Sequence, residues 1–294
     1  MSTLNHQDNK ILREEAARLR AKGVVDSVVV SGMKIEYWRV GEGANAWVFI
    51  HGNSSCKEVF FQQLNLLMSD NISLIAIDLP GHGCSDNTMS PKEHYTIPGY
   101  AKIVGKVMLA LGFESYGVLG WSLGGNIAME MAGQGLPVTS MMIMGAPPIG
   151  PGIENVEKAF LPSSLEATGK ADLTDNELND FTRAIYGTLA PIPAALALTA
   201  KRTHGMAREI MIGHWMSGES GHKQTDTIAQ WRHPIAVIHG ENDPFVALDY
   251  LNQAHWKNLW GDKVHVIDSV GHAPFVENPS MFNKLLMDFI NASL

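Results

Sequence analysis

Six short apolar runs limit what this chain can fold into. They lie at residues 47–50, 74–77, 117–119, 141–144, 235–238 and 264–267 and lack sustained polar alternation. A strand with one wet face alternates, whereas a parallel strand covered on both faces reads as a continuous apolar run. Helical patterns separate several of them, at 97–111 and 125–132. Strand–helix alternation of this kind implies a mostly parallel sheet with helices on both faces. Two earlier runs, Val24–Val30 and 34–40, flank a turn at Ser31 and Gly32 and read as a strand pair. The fold class expected is α/β, with eight strands.

The rhythm breaks once. Between Gly145 and Trp231 no segment reads as a strand; a Pro/Gly cluster at 146–152 leads into helical patterns near 173–186, 192–201 and 206–215. A helical insertion before the last two strands reads as a cap over the carboxyl edge of the sheet, where open α/β folds bind ligands. The expected division is an N-terminal helical extension (1–22), a core (23–146 and 232–294) and a helical cap (147–231). Within the extension, Ile11, Leu12, Ala16 and Leu19 share one side of an amphipathic helix over 9–22. That side serves either to pack on the domain or as a dimer contact or lid.

The strongest chemical signal is Gly120-Trp-Ser122-Leu-Gly124-Gly125, which follows an apolar strand and opens a helix. This is the context of a nucleophile elbow: a sharp strand-to-helix turn lifts a serine hydroxyl above the sheet, and small neighbours prevent clashes. A nucleophilic serine needs a base, and the base needs an orienting acid. In this architecture the chain order is serine, acid, histidine. Asp243 follows the 235–238 strand and His272 follows the 264–267 strand. They are the expected acid and base, with Glu241 as the rival acid. An oxyanion requires two aimed donors. The backbone N–H groups of Leu123 and of Asn53, within His51-Gly52-Asn53-Ser54-Ser55, are the candidates. Gly52 permits close backbone approach. The Asn53 amide either binds substrate or braces its own loop.

These segments resemble the α/β-hydrolase superfamily from about residue 24 to 294: His51-Gly52, Asp78-Leu-Pro-Gly-His-Gly-Cys-Ser85, Gly120 to Gly125, Asp243 and Gly271-His272 occur in its order. The likeness is closest to the metal-independent N-acyl-homoserine lactonases of this fold. It is carried by His51-Gly-Asn-Ser-Ser55 and by the Ser122, Asp243 and His272 segments with Gly145-Ala-Pro-Pro148. That resemblance implies a Ser-His-Asp triad that opens quorum-sensing lactones without a cofactor. A cap tyrosine that contacts substrate in the family falls at Phe181 here, with Tyr186 five residues on. The N-terminus is longer than the family leads one to expect.

The serine at 122 separates the chain from relatives that use an aspartate nucleophile. Its twelve histidines include neither H-x-H-x-D-H nor H-E-x-x-H, so no metal is expected. A net charge of −8 argues against nucleic acid or an anionic membrane as main partner. Two cysteines, no apolar span and no signal-like start point to the cytoplasm. The expected partner is a small apolar lactone or ester. Its pocket is expected from Asn53, Trp121, Phe181, Tyr186, Trp215 and Phe275, with Met206, Met211 and Met216 as further wall. Two alternatives stay open: a carboxylesterase or other serine hydrolase of this fold, and a ligand-binding module with little turnover.

Overall fold

A computed structural model describes residues 6–65, 71–150, 153–161, 167–218 and 221–294. Residues 1–5 of the expected extension and 151–152 of the Pro/Gly cluster lie outside these. The strands are β1 (Val24–Val30), β2 (Met33–Val40), β3 (Asn45–Ile50), β4 (Ile72–Ile77), β5 (Tyr116–Trp121), β6 (Val138–Met144), β7 (Ile235–Gly240) and β8 (His265–Ile267). They form one eight-stranded sheet in the order β1-β2-β4-β3-β5-β6-β7-β8. The β1–β2 and β2–β4 pairs are antiparallel, and the rest are parallel. β4, β5 and β7 are buried at every position, which explains their unbroken apolar runs. β8 differs: it is a sheet edge, and Val266 is exposed, so this strand alternates where a covered run was expected.

From β3 the chain crosses to β4 on one side and then to β5 on the other. A reversal of this kind opens a crevice at the carboxyl ends of the two strands, where ligands bind in open sheets. Asn53 follows β3 and Ser122 follows β5, so both sit at that crevice.

The interval between β6 and β7 contains no strand among the described residues, only helices and an isolated bridge from Phe160 to Val246. Local sequence dictates where its helices start. Thr174 accepts from Glu177 N–H while the Glu177 carboxylate accepts from Thr174 N–H, a capping box that opens Asp175–Tyr186. The N-terminal helix His6–Leu19 packs on Ala194–Arg202: Leu12, Ala16 and Ala195 form a small buried cluster. Its far end is tied to the core, where Asn65 Nδ2 donates to Leu19 O at 2.6 Å and Arg20 pairs with Glu58. No helix among the described residues is long and apolar enough to cross a membrane.

Candidate active site

Ser122 stands between β5 and the helix Leu123–Gly133 with φ 54° and ψ −120°, a conformation that L-residues rarely adopt. The flanking glycines are sterically required. A Cβ at Gly120 would meet Gly124 O at 2.3 Å, and one at Gly124 would meet Ile50 O at 2.0 Å. The elbow therefore nests against the end of β3. A Cβ at Gly52 would lie 3.1 Å from Trp121 and 3.2 Å from Ser122 Cβ, so the loop after β3 passes directly over the elbow.

His272 Nδ1 donates to Asp243 Oδ2 at 2.9 Å, and both side chains are buried. Asp243 Oδ1 accepts from the N–H groups of Phe245 (2.8 Å) and Val246 (3.2 Å). Burial works against the Asp243 charge, but His272 and the hydrogen bonds outweigh it and hold the carboxyl below its usual range. The fixed anion sets the imidazole's orientation and commits Nδ1, leaving Nε2 for proton transfer. His239 lies 3.9 Å behind Asp243, and burial lowers its pKa, so it flanks the acid as a neutral ring. Glu241 is turned elsewhere: its carboxylate accepts from Ser269 N–H at 2.8 Å and braces the β8 turn.

One cavity, of about 580 Å³ including its mouth, joins Ser122, Leu123, His272, Gly52 and Asn53. Its walls include Trp121, Phe181, Trp215 and Met211, as the sequence suggested, and Phe160, Ile185, Ile212 and Phe245, which it did not. Phe245 could have been suspected from its place two residues after the acid. Phe160 could not, because it follows the helix Ile153–Ala159, outside the helical patterns read in the sequence, and meets Val246 through the isolated bridge.

Four expected wall residues lie elsewhere. Tyr186 is fully buried with its hydroxyl 3.3 Å from Ser55 Oγ, and burial pushes its pKa above the usual range. Phe275 packs beneath Trp121, Phe60 and Phe282. Met206 is exposed and Met216 packs on the core. Two other side chains serve the scaffold as well as the wall. Trp121 Nε1 donates to His272 O at 2.8 Å, fixing the histidine's backbone. Asn53 Nδ2 donates to Thr168 O at 2.9 Å, which is the loop-bracing alternative. Gly145, which opens the Gly145-Ala-Pro-Pro148 segment of the resemblance, faces the base: a Cβ there would strike the His272 ring at 2.6 Å.

The insertion grips the loop after β3. Arg208 donates from Nε to Lys170 O (2.8 Å), from Nη2 to Ala171 O (2.9 Å) and from Nη1 to Ala200 O (3.0 Å), with Ser54 Oγ at 3.4 Å. Beneath that loop Lys57 is fully buried, its ammonium 2.8 Å from Asp78, 2.7 Å from Glu36 and 3.1 Å from Glu58. Burial opposes both charges of the Lys57–Asp78 pair, yet mutual attraction keeps Asp78 acidic and Lys57 strongly basic. Asp78 also accepts from Lys57 N–H and Cys84 N–H. The two groupings of metal-type ligands among the described residues both include Asp78, where this ammonium already sits.

The alpha/beta hydrolase fold family matches residues 45–279. A crystal structure of a variant of the N-acyl homoserine lactonase AidH, complexed with N-hexanoyl homoserine lactone, superposes with a TM-score of 0.86. It is 36% identical and the match covers 92% of this chain and 98% of that one. The serine hydrolase BPHL of Mus musculus is 28% identical over 278 residues, covering 90% of this chain and 85% of its own. The chain is 25% identical over 260 residues to the dihydrolipoyllysine-residue acetyltransferase component of the acetoin cleaving system of Cupriavidus necator. It spans 66% of that protein's length. With its eight-stranded, mostly parallel sheet and the matched residues 45–279, this chain belongs to the alpha/beta hydrolase fold family.

Proposed function

We propose that this chain is a serine hydrolase that opens the lactone ring of N-acyl-homoserine lactones. The observation that carries the reading is the buried Asp243–His272 hydrogen bond beside the strained Ser122 in one mostly apolar cavity. The 36% likeness to AidH supports the choice of lactone over other esters. In this reading residues 147–231 are the cap that closes the cavity and residues 1–22 are an extension that braces it. The two unpaired cysteines favour work in the cytoplasm.

His272 Nε2 takes the Ser122 proton as Oγ attacks the lactone carbonyl. The N–H groups of Leu123 and Asn53 hold the oxyanion. One such donor is worth roughly 10²–10³ in turnover. Collapse breaks the ring C–O bond, and His272 returns the proton to the departing ring oxygen. The leaving alcohol stays tethered to the acyl-enzyme. Water, deprotonated by His272, must then release the acyl group before that alcohol closes back. The product is the open N-acyl-homoserine, and Ser122 regains its proton.

The test is a comparison of kcat/KM on short- and long-chain N-acyl-homoserine lactones with that on aryl esters, for wild type and Ser122→Ala. Lactone turnover that falls at least about 10³-fold in the variant is expected, since triad members act as a unit. Brisk aryl-ester hydrolysis without lactone opening would make the chain a general esterase. Ligand-induced stabilisation without product from any of these would make it a binding module.

A further inference from the structure

Several side chains that line the Ser122 cavity carry an N–H group, and three of them spend it inside the protein. Trp121 Nε1 donates to His272 O, and Asn53 Nδ2 donates to Thr168 O. Asn126 Nδ2 donates to Pro147 O at 3.0 Å and Gln224 Oε1 at 2.9 Å. Trp215 differs. It lines the same cavity, is 7% exposed, and its buried Nε1 has no hydrogen-bond partner among the described residues. The indole plane is fixed by Phe160, whose ring meets it edge-on at 5.1 Å and 90°.

An indole N–H is a donor only, and leaving it buried and unpaired carries the full cost of removing it from water. A ligand that brings an acceptor recovers that cost. A lactone with an acylamino substituent carries two carbonyls into the cavity. The ring carbonyl reacts at Ser122. The amide carbonyl loses its water and must find a donor in walls that are mostly aromatic and aliphatic and whose asparagine amides already donate within the protein. Phe181, at the position where the family's cap tyrosine is expected, supplies no hydroxyl for it.

We infer that Trp215 Nε1 donates to the amide carbonyl of the substrate. Trp215 is thereby the residue that selects acylamino lactones over lactones carrying a plain alkyl chain. This inference rests on the lactonase reading above.

The experiment measures kcat/KM for two probes, N-hexanoyl homoserine lactone and a γ-butyrolactone bearing a plain alkyl chain of equal length at the same ring carbon. The enzymes are wild type, Trp215→Phe, and a protein carrying β-(3-benzothienyl)alanine at position 215. The last keeps the bicyclic shape and loses only the N–H, so it guards against a folding or packing effect of the phenylalanine. The expected result for both variants is a fall on the acylamino lactone about tenfold larger than any fall on the alkyl lactone. Equal falls on both probes would mean that the indole merely packs, and the inference would be overturned. Undiminished rates on the acylamino lactone would overturn it too, while leaving the lactonase reading intact. A wild type that opens neither lactone would remove both.

Discussion

His51 begins the loop that passes over the elbow, and its protonation couples that loop to acid stability. Nδ1–H donates to Gly52 O at 2.7 Å, while Nε2 accepts from Leu79 N–H at 3.1 Å, so the neutral ring is fully engaged. Burial, partly offset by Asp78, lowers its pKa to about 4. A histidine in the unfolded chain titrates near 6.5. Below that pH the unfolded chain binds a proton that the folded chain refuses. Stability is therefore complete above about pH 6.5 and is lost progressively towards pH 4, by about 3 kcal/mol for this group alone. Burial lowers His82 as well, with the same sign. Urea midpoints for wild type should fall steeply between pH 6.5 and 4.5, and His51→Gln should flatten that slope by up to one proton; parallel slopes would contradict the assignment. At this scale the sequence was most legible where geometry demands a residue type. Gly120 and Gly124 announce the elbow because no Cβ fits at either place. Gly145 obeys the same rule against the His272 ring, a demand that its own segment, Gly145-Ala-Pro-Pro148, does not reveal. Only the fold brings it there.

Among the elements, Arg208 ties segments of the insertion together and reaches the loop after β3 at Ser54 Oγ (3.4 Å), and Asn53 ties that loop to Thr168 above Lys57. Arg208→Met would leave the carbonyls of Lys170, Ala171 and Ala200 without this donor. Stability should drop by about 3 kcal/mol. In Arg208→Met, kcat should fall more than KM rises, because the loop carrying the Asn53 N–H loosens. A melting curve and steady-state kinetics check both. Lys57→Met strips the ammonium from buried Asp78 and Glu58, and breaking a buried pair in this way costs about 3–5 kcal/mol. Denaturant titration should show it, and an unchanged midpoint would mean that Asp78 takes up a proton without loss. The strands were readable because β4, β5 and β7 are covered on both faces. The helices of the insertion were readable only as patterns. Which of their side chains reach the cavity depends on rotation about each axis. Met211 and Trp215 reach it from Gly205–Met216, but Met206 and Met216 do not. The ties of Arg208 to residues 170, 171 and 200 are contacts that no periodicity encodes.

For the whole molecule, the sheet's reversal at β3 and the helices between β6 and β7 enclose the elbow on opposite sides. The N-terminal helix completes that enclosure by joining the core at Asn65 to the insertion at Ala195. The amphipathic side of that helix was legible in sequence, and its target was not, since packing and self-association use the same apolar stripe. A serine mechanism in this cavity makes hydrolysis independent of added divalent metal. Dialysis against a chelator should leave kcat/KM unchanged, and loss restored by zinc would contradict the mechanism. Lactone opening is tested most directly by mass spectrometry of an N-acyl-homoserine lactone after incubation with the enzyme. The expected product is one water heavier, closes back on acidification and is absent with Ser122→Ala. Release of free homoserine lactone would show amide cleavage, and would contradict lactone opening.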